Sequence, residues 1–297
     1  MATFNPDAQV VQNIHRVASQ VDHVLVVDDG SATDTKDPFL RLHPGIEVIR
    51  LPSNCGIAAT LNVGARAALD AGADAVLTLD QDSLVNDNYV RKAREASSRL
   101  ERAHRSPAII AAGVQSGATV RAVRYADRGD EVTPTLEAIQ SGLLIPATVF
   151  ERIGWFDEEL FIDCVDTDFI LRASLAGVPT YLARGCAVEH SLGRRIRTTG
   201  VRVTRSRGTS FAYHPPWRRY YITRNRAIVF ARFGLARPDW TAAGIAGELL
   251  QFARCLVFGP QKVKQVAAVA TGLADALGGR RGRLRGNAAR VVGAPQD

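Results

Sequence analysis

The chain has little with which to staple itself. Its four cysteines, Cys55, Cys164, Cys186 and Cys255, lie far apart in 297 residues and form no Cys-x-x-Cys pair. That argues against a disulfide framework or a cysteine zinc site and for free thiols in a reducing compartment. A G-x-G-x-x-G between strand and helix is missing, as is the P-loop pattern, so neither common glycine-rich phosphate cradle is present. Unbroken apolar runs of roughly 18 residues, the length that spans a bilayer, are missing too. The nearest candidate, Trp240 to Phe258, is interrupted by Glu248 and Arg254. The opening MATFNPDAQ lacks the basic-then-apolar pattern of a signal peptide, and no internal repeat is visible.

What is present is an ordinary globular composition, 46% hydrophobic and 23% charged, in a length that suits one large domain or one domain with an appendage. The charge is unevenly spread. Residues 1–190 carry 17 Lys/Arg against 26 Asp/Glu, residues 191–239 carry 12 Arg against one acid, and residues 240–297 carry 8 basic against 3 acidic residues. An acidic body with a basic final third does not make a uniform nucleic-acid surface. It suits an anionic ligand, an anionic membrane, or both, met by the C-terminal part.

The first 190 residues alternate between strand-like and helix-like patterns. Val24–Asp29 is an apolar run ending in acids, and Ile46–Arg50 is a second strand. Ile57–Ala71 has helical spacing, with Leu61, Ala65, Ala68 and Leu69 on one side and Gly72 as a stop. Ala75–Leu79, a polar helix near Asp87–Ala103, and the apolar run Ala108–Gly113 follow. This alternation predicts an α/β domain with a largely parallel sheet, in which ligands sit beyond the carboxyl ends of the strands. Two acidic clusters fall there, Asp28-Asp29 and Asp80-Gln81-Asp82.

Asp80 and Asp82 are like charges one residue apart, costly to hold together without a cation. A magnesium-type ion takes one or two carboxylates and leaves the rest of its shell to water and phosphates; a solvated strand-to-loop turn is the plainer alternative. Phe156–Gly177 crowds Asp157, Asp163, Asp166 and Asp168 around the start of a predicted helix. Crowding raises carboxylate pKa values and suits a general base, whereas a lone Asp there is more often an N-cap. His190 follows a predicted short strand, Cys186–Glu189; it is either structural or a neutral ligand beside a carboxylate-bound metal. Pro215–Arg232 gathers Arg218, Arg219, Arg224 and Arg226 beside Tyr220 and Tyr221, as forks for phosphate oxygens or as a solvated basic face.

The ordered set of motifs resembles one family. Thr3-x-Asn-Pro6, Val26–Ser31 (VVDDGS), Asn54-x-Gly56, Leu79–Ser83 (LDQDS), Ser141–Pro146 (SGLLIP), Phe156–Asp168 (FDEELFIDCVDTD) and His190–Gly193 (HSLG) follow one another as in inverting family-2 glycosyltransferases with the GT-A fold. The resemblance is strongest to the bacterial rhamnosyltransferase branch, and it runs from residue 3 to about residue 230. It implies an α/β GT-A domain with a mostly parallel central sheet over residues 1–210, followed by a basic, mainly helical region, 211–297, that completes the site.

Carried over by position, the resemblance implies that Asp29 bonds the donor nucleobase, with Thr3, Asn5 and Asn54 lining that pocket. Asp80 would contact the ribose beside Gln81. Asp82 and His190 would hold Mg or Mn on the diphosphate. Asp166 would be the catalytic base; the Glu that usually precedes it is Val165 here. Ser141, Gly142, Trp155 and Phe156 would meet the acceptor, Trp155 and Phe156 with an apolar face. Arg219, Tyr221, Arg224 and Asn225 would serve the diphosphate, since the Q-x-x-R-W motif of processive relatives is absent. The implied substrates are a nucleotide-diphosphate sugar, dTDP-β-L-rhamnose foremost, and a glycan or lipid-linked glycan, with no nucleic-acid partner. Only Met1 and Ala2 precede T-x-N-P, where the family has several apolar residues, so the expectation is a stub strand or a start further upstream.

Gln261–Leu277 aligns Val263, Val266, Ala267, Ala270, Leu273 and Leu277 on one helical face beside the Arg280–Arg285 cluster. Residues 261–290 therefore either touch an anionic leaflet, placing the protein peripherally on the inner face of the plasma membrane, or pack on the catalytic domain. Two further classes stay open. One is a nucleotidyltransferase, although its Gly-rich basic loop is not seen; the other is a non-catalytic nucleotide-sugar-binding protein.

Overall fold

The computed structural model describes residues 1–32, 39, 46–104, 106–116, 118–120, 131–189, 195–197 and 210–294. They fall into two compact units, Met1–Ser191 and Leu192–Asp297.

Unit 1 opens with strand β1 (Ala2–Thr3), helix α1 (Gln9–Ala18), strands β2 (Val24–Asp28) and β3 (Ile46–Arg50), helix α2 (Ile57–Asp70) and strand β4 (Ala75–Thr78). Strand β5 (Leu84–Val85), helix α3 (Tyr89–His104), and strands β6 (Ile109–Gln115), β7 (Ala118–Thr119), β8 (Val132–Thr135) and β9 (Leu143–Pro146) come next. Helices α4 (Ala147–Ile153) and α5 (Val165–Leu175) then lead to strand β10 (Thr180–Glu189). Strands β1, β2 and β3 pair in parallel in the order β1-β2-β3. A second, mixed sheet runs β4-β9-β6-β10-β5, with β6 and β10 parallel and the β4–β9, β6–β9 and β5–β10 pairs antiparallel.

Although two residues long, β1 joins the two sheets. The Ala2 amide donates to the Leu79 carbonyl at 2.9 Å, the Val27 amide to Met1 at 2.9 Å and the Asp29 amide to Thr3 at 2.8 Å. Ala2 also bridges Asp80 in parallel. The ends of β1, β2 and β4 thereby share one edge, because parallel neighbours point their carboxyl ends the same way.

The helices cover this frame with apolar stripes. In α1, Val10, Ile14 and Val17 are buried at helical spacing beside Asn13, and full burial of a side chain such as Ile14 contributes about 1.5–3 kcal/mol. One core holds Ile14, Val26, Tyr89, Ile110, Leu144 and Cys186. Burial pushes the Cys186 thiol up to about 12, so that sulfur behaves as a core atom and not as a nucleophile. Strand β10 is much longer than the predicted Cys186–Glu189 because it starts immediately after Pro179, alongside β6.

Helix α2 departs from an ordinary apolar stripe. Asn62 is buried with Leu61 and Ala65, accepts from the Phe156 amide at 2.9 Å and donates to the Phe156 carbonyl at 2.9 Å. It also donates to the Glu158 carboxylate at 2.7 Å. One side chain thus anchors the segment that leads into α5.

Unit 2 contains strand β11 (Arg195–Arg197) paired antiparallel with β12 (Ser210–Ala212), then helices α6 (Pro216–Phe233), α7 (Pro238–Phe258), α8 (Lys262–Leu277) and α9 (Gly286–Val292). Helices α6 and α8 meet closely at Gly272, where a Cβ would lie 2.8 Å from the Tyr220 carbonyl. The charges that interrupt the run Trp240–Phe258 do not break α7. It is continuous over 21 residues and, by length and composition, apolar enough to cross a membrane. Glu248 is accommodated by turning inward to Arg219, at 3.2 Å.

Asn62→Ala would orphan the amide and carbonyl of Phe156. A buried unsatisfied polar group costs about 1–3 kcal/mol, so urea denaturation should show roughly that loss. Asn62→Asp should be no better, because a carboxylate cannot donate to the Phe156 carbonyl and would face Glu158.

Candidate active site

The shared strand edge gathers the expected donor-side residues. Asp29 is buried directly after β2, its carboxylate accepting from the amides of Cys55 at 2.7 Å and Gly56 at 2.9 Å. Burial pushes its carboxyl above the usual carboxylate range, opposed by those two amides and the Thr60 hydroxyl. Gly56 approaches because it has no side chain. Its φ is +91°, and a Cβ there would lie 2.5 Å from both the ring and the carbonyl oxygen of Phe161. Asp28, also buried, accepts from Arg50 at 3.1 Å and from the Ser31 hydroxyl. Asn5, exposed at φ +45°, is fixed by its amide on Ser31 Oγ at 2.7 Å.

Gln81 ties the β1 and β4 ends together. Its side-chain oxygen accepts from the Phe4 amide at 2.8 Å, and its carbonyl from Asn13 at 2.8 Å. Thr3 is buried and its hydroxyl turns inward to the Val27 carbonyl at 3.3 Å, so it braces the expected nucleobase pocket from within. Asn54 lies two residues before Gly56, half-buried.

Gln140, which sequence reasoning missed, links the donor side to the expected base. Its side-chain amide donates to Asp80 Oδ1, and its backbone amide donates to Asp166 Oδ2 at 3.2 Å. The only signal for it in the sequence was its place immediately before Ser141-Gly142. Asp166 sits in the first turn of α5, where Oδ1 accepts from the Thr167 amide at 2.7 Å. The approach to this helix is unusual. Phe161, Asp163 and Cys164 have φ of +65°, +65° and +63°, a left-handed conformation that costs non-glycine residues about 1–3 kcal/mol each and clusters at functional sites.

Several expectations are corrected. Two of the acids between 157 and 168 have structural partners. Asp157 caps the short turn Glu158–Leu160 through the Glu159 amide at 3.0 Å. Asp168 is fully buried against Arg172 at 2.8 Å, and Arg172 also holds the Ile153 and Trp155 carbonyls at 2.7 and 2.8 Å. Ser141 and Gly142 are interior residues, not acceptor contacts. Ser141 Oγ accepts from the Asp80 amide at 3.1 Å and donates to Ser83 at 2.6 Å, while the Gly142 carbonyl accepts from Tyr89 at 2.5 Å. Phe156 is buried and stacked on Phe169 with centroids 4.3 Å apart. Trp155 is half-buried, with Phe150 at 5.2 Å and the Arg66 guanidinium over its ring at 4.1 Å.

The four residues expected on the diphosphate are buried in unit 2 with partners there. Arg219 pairs with Glu248, and Arg224 donates to Asn225 at 2.9 Å and to the Gly282 carbonyl at 2.6 Å. Tyr221 accepts from the Leu284 amide at 2.7 Å. Desolvation dominates such positions, and a charged side chain stays there only because it is paired. His190 lies outside the described residues.

Among the described residues no three His, Cys, Asp or Glu side chains form a metal cluster. The Asp80–Asp82 pair still fits a magnesium-type ion, because Asp82 is exposed at a strand end with Asp80 one residue away. That is the small protein donor set such an ion needs when phosphates and water fill the remaining positions.

The family profile described as "Glycosyl transferase family 2" matches residues 1–154, just over half of the chain. The chain belongs to glycosyl transferase family 2. Its α/β architecture is that of the GT-A glycosyltransferases, and it is a glycosyltransferase. A relative, "dTDP-rhamnosyl transferase RfbF" of Shigella flexneri, is 26% identical over 246 residues, covering 78% of this chain and 79% of the relative. Among solved structures, GalNAc-T7 with UDP, GalNAc and Mn2+ matches with a TM-score of 0.52 at 14% identity. That match covers 64% of this chain and 42% of the GalNAc-T7 chain, and it speaks to fold alone. Staphylococcus aureus TarS 1–349 in complex with UDP-GlcNAc matches over 94% of this chain and 80% of its own at 14% identity, with a TM-score of 0.49.

Gly56→Ala should force Phe161 away from the Asp29 pocket. The expected result is a loss of about 1–3 kcal/mol in chemical denaturation, together with weaker nucleotide binding by calorimetry; wild-type values for both would show that the close approach is unimportant.

Proposed function

We propose that this glycosyltransferase moves L-rhamnose from dTDP-β-L-rhamnose to a hydroxyl of a glycan or lipid-linked glycan, with inversion at the anomeric carbon, in the assembly of a cell-surface polysaccharide. The observation that carries this reading is the Gln140 connection between Asp80, on the donor side, and Asp166, the base. The relative described as a dTDP-rhamnosyl transferase supports the choice of donor. The four free cysteines support a reducing, cytoplasmic setting.

In this reading Asp29 receives the nucleobase, with Asn5 and Asn54 at its rim and Asp80 on the sugar of the nucleoside. The Gln140 and Thr167 amides orient the Asp166 carboxylate. Asp166 accepts the proton of the acceptor hydroxyl as that oxygen attacks the anomeric carbon from the face opposite the nucleotide. The carbon–oxygen bond to the diphosphate breaks in the same displacement, so one inversion occurs, as in inverting hydrolases with a base-activated water. A β donor then gives an α linkage. Asp82, with Asp80 beside it and His190 as a further ligand, would hold Mg or Mn, which when bound neutralises charge on the departing diphosphate. Arg219, Tyr221, Arg224 and Asn225 act here as the scaffold of unit 2.

Two measurements test this reading. Asp166→Asn should lower transfer of radiolabelled sugar by roughly 10²–10⁴-fold, the usual worth of a general base, with donor binding nearly unchanged; retained turnover would remove Asp166 from its role. In a thermal-shift panel of nucleotide sugars with manganese, the dTDP-L-rhamnose pair should give the largest stabilisation, and Asp82→Ala should abolish the manganese dependence of that shift. A larger response to a uridine or guanosine sugar would overturn the donor.

A further inference from the structure

In unit 2, helices α7 and α8 leave large apolar side chains outward while turning several polar ones inward. The side of α7 that packs inward buries Trp240 and Cys255 and also carries the half-buried Glu248, bonded to Arg219, and Gln251, whose side chain donates to the Ala212 carbonyl at 2.5 Å. The opposite side is apolar and open: Leu249, Leu250 and Val257 are 64%, 53% and 62% exposed, among exposed alanines at 242, 246 and 253. The charged residues on that side are Arg254, next to the turn that follows α7, and Asp239 at the opposite, N-terminal end of the helix. Only 6% of the apolar window of this helix is buried. Helix α8 repeats the pattern. Gln265 and Asp275 face inward, bonded to the His214 carbonyl at 2.8 Å and to Tyr220 at 2.7 Å, while Val263 and Leu277 are 84% and 90% exposed. A helix solvated by water shows the opposite arrangement.

We infer that the outward faces of α7 and α8, with the turn between them, dock onto an anionic lipid leaflet, the helices lying in the plane of its interface. The charge around the faces selects this occupant. The turn, residues 259–261, sets Arg254, Lys262 and Lys264 around Val257 and Val263, and all five side chains are exposed. The last stretch adds the exposed Arg285 with Arg281, while Arg280, 78% exposed, is paired with Asp275 at 3.0 Å. Residues 192–297 hold 20 Lys/Arg against 4 Asp/Glu, and two of those acids, Glu248 and Asp275, are engaged inward. A second copy of this surface would bring like charge against like charge. An anionic interface takes both the apolar side chains and the cations at their rim. The close helix contact at Gly272 is of the kind that serves when packing and polar contacts, and not water exclusion, hold helices together.

The inference is independent of the transfer chemistry, and its test needs none. The full chain is floated with phosphatidylglycerol and with phosphatidylcholine vesicles. It should associate with the first and release in 0.5 M salt, the strength at which surface charge is screened within several ångströms. Leu249→Gln with Val257→Gln should weaken association at least about tenfold, since each removes a buried-in-lipid side chain of several methylenes. Lys262→Ser and Lys264→Ser should each weaken it about fivefold, the equivalent of roughly 1 kcal/mol per charge. The thermal transition and manganese–nucleotide binding should stay at wild-type values, because these side chains already face outward. No association of the wild type with anionic vesicles at low salt would overturn the proposal, as would undiminished association of the leucine–valine variant. A wild-type dimer in ultracentrifugation that the same variant dissolves would also overturn it, by showing that a second copy covers the face.

Discussion

Everything at the strand edge depends on two residues of strand. Ala2 and Thr3 are bonded on one side to β2 and on the other to Leu79, so the parallel sheet and the mixed sheet meet through them. Buried amides and carbonyls must find partners, and this short ladder supplies them to both neighbours at once. It also sets the register. With Thr3 opposite Asp28 and Ala2 opposite Asp80, two acidic clusters distant in sequence come to one edge, where open α/β sheets bind their ligands.

An edge so rich in carboxylates is tolerable because the acids are partitioned. Asp28 has Arg50 and Ser31, Asp29 has two backbone amides, Asp80 has Gln140, and Asp168 has Arg172. Hydrogen bonds to ionised groups are about twice as strong as neutral ones, and each such partner offsets part of the desolvation of its acid. Asp29 keeps a raised pKa all the same, because burial outweighs its donors. Gln140 and Asn62 matter for another reason. Gln140 bonds Asp80 and Asp166 at once, which couples the position of α5 to the strand end, and Asn62 ties α2 to the segment that leads into α5.

Unit 2 solves a different problem with the same rules. Arg219, Arg224, Gln265 and Asp275 are buried and each has a partner inside, although Arg219 Nε and Gln265 Oε1 stay unbonded, and the outward surface of α7 and α8 is left largely apolar. In water such an exterior is a liability; against a lipid interface it is the favourable arrangement. Arg219 and Arg224, which look like phosphate ligands in sequence, are buried and paired within unit 2.

Local pattern alone determined the strands Val24–Asp28 and Ile46–Arg50, the helix over Ile57–Asp70, the acidic ends of β2 and β4, and the order of motifs that marks the family. These depend on period, on turn residues and on near-neighbour charge, all of which a linear chain carries. Only the tertiary structure decided which partner each polar group has. Ser141, Gly142 and Phe156 look like site residues but are spent in packing, whereas Gln140 and Asn62 looked ordinary and bridge distant segments. The inward turn of Glu248 in α7 was equally hidden, because a glutamate inside an apolar run reads as an interruption until Arg219 is brought to it. A side chain's role follows from what faces it, and for contacts across 26 to 96 residues that is set by the fold.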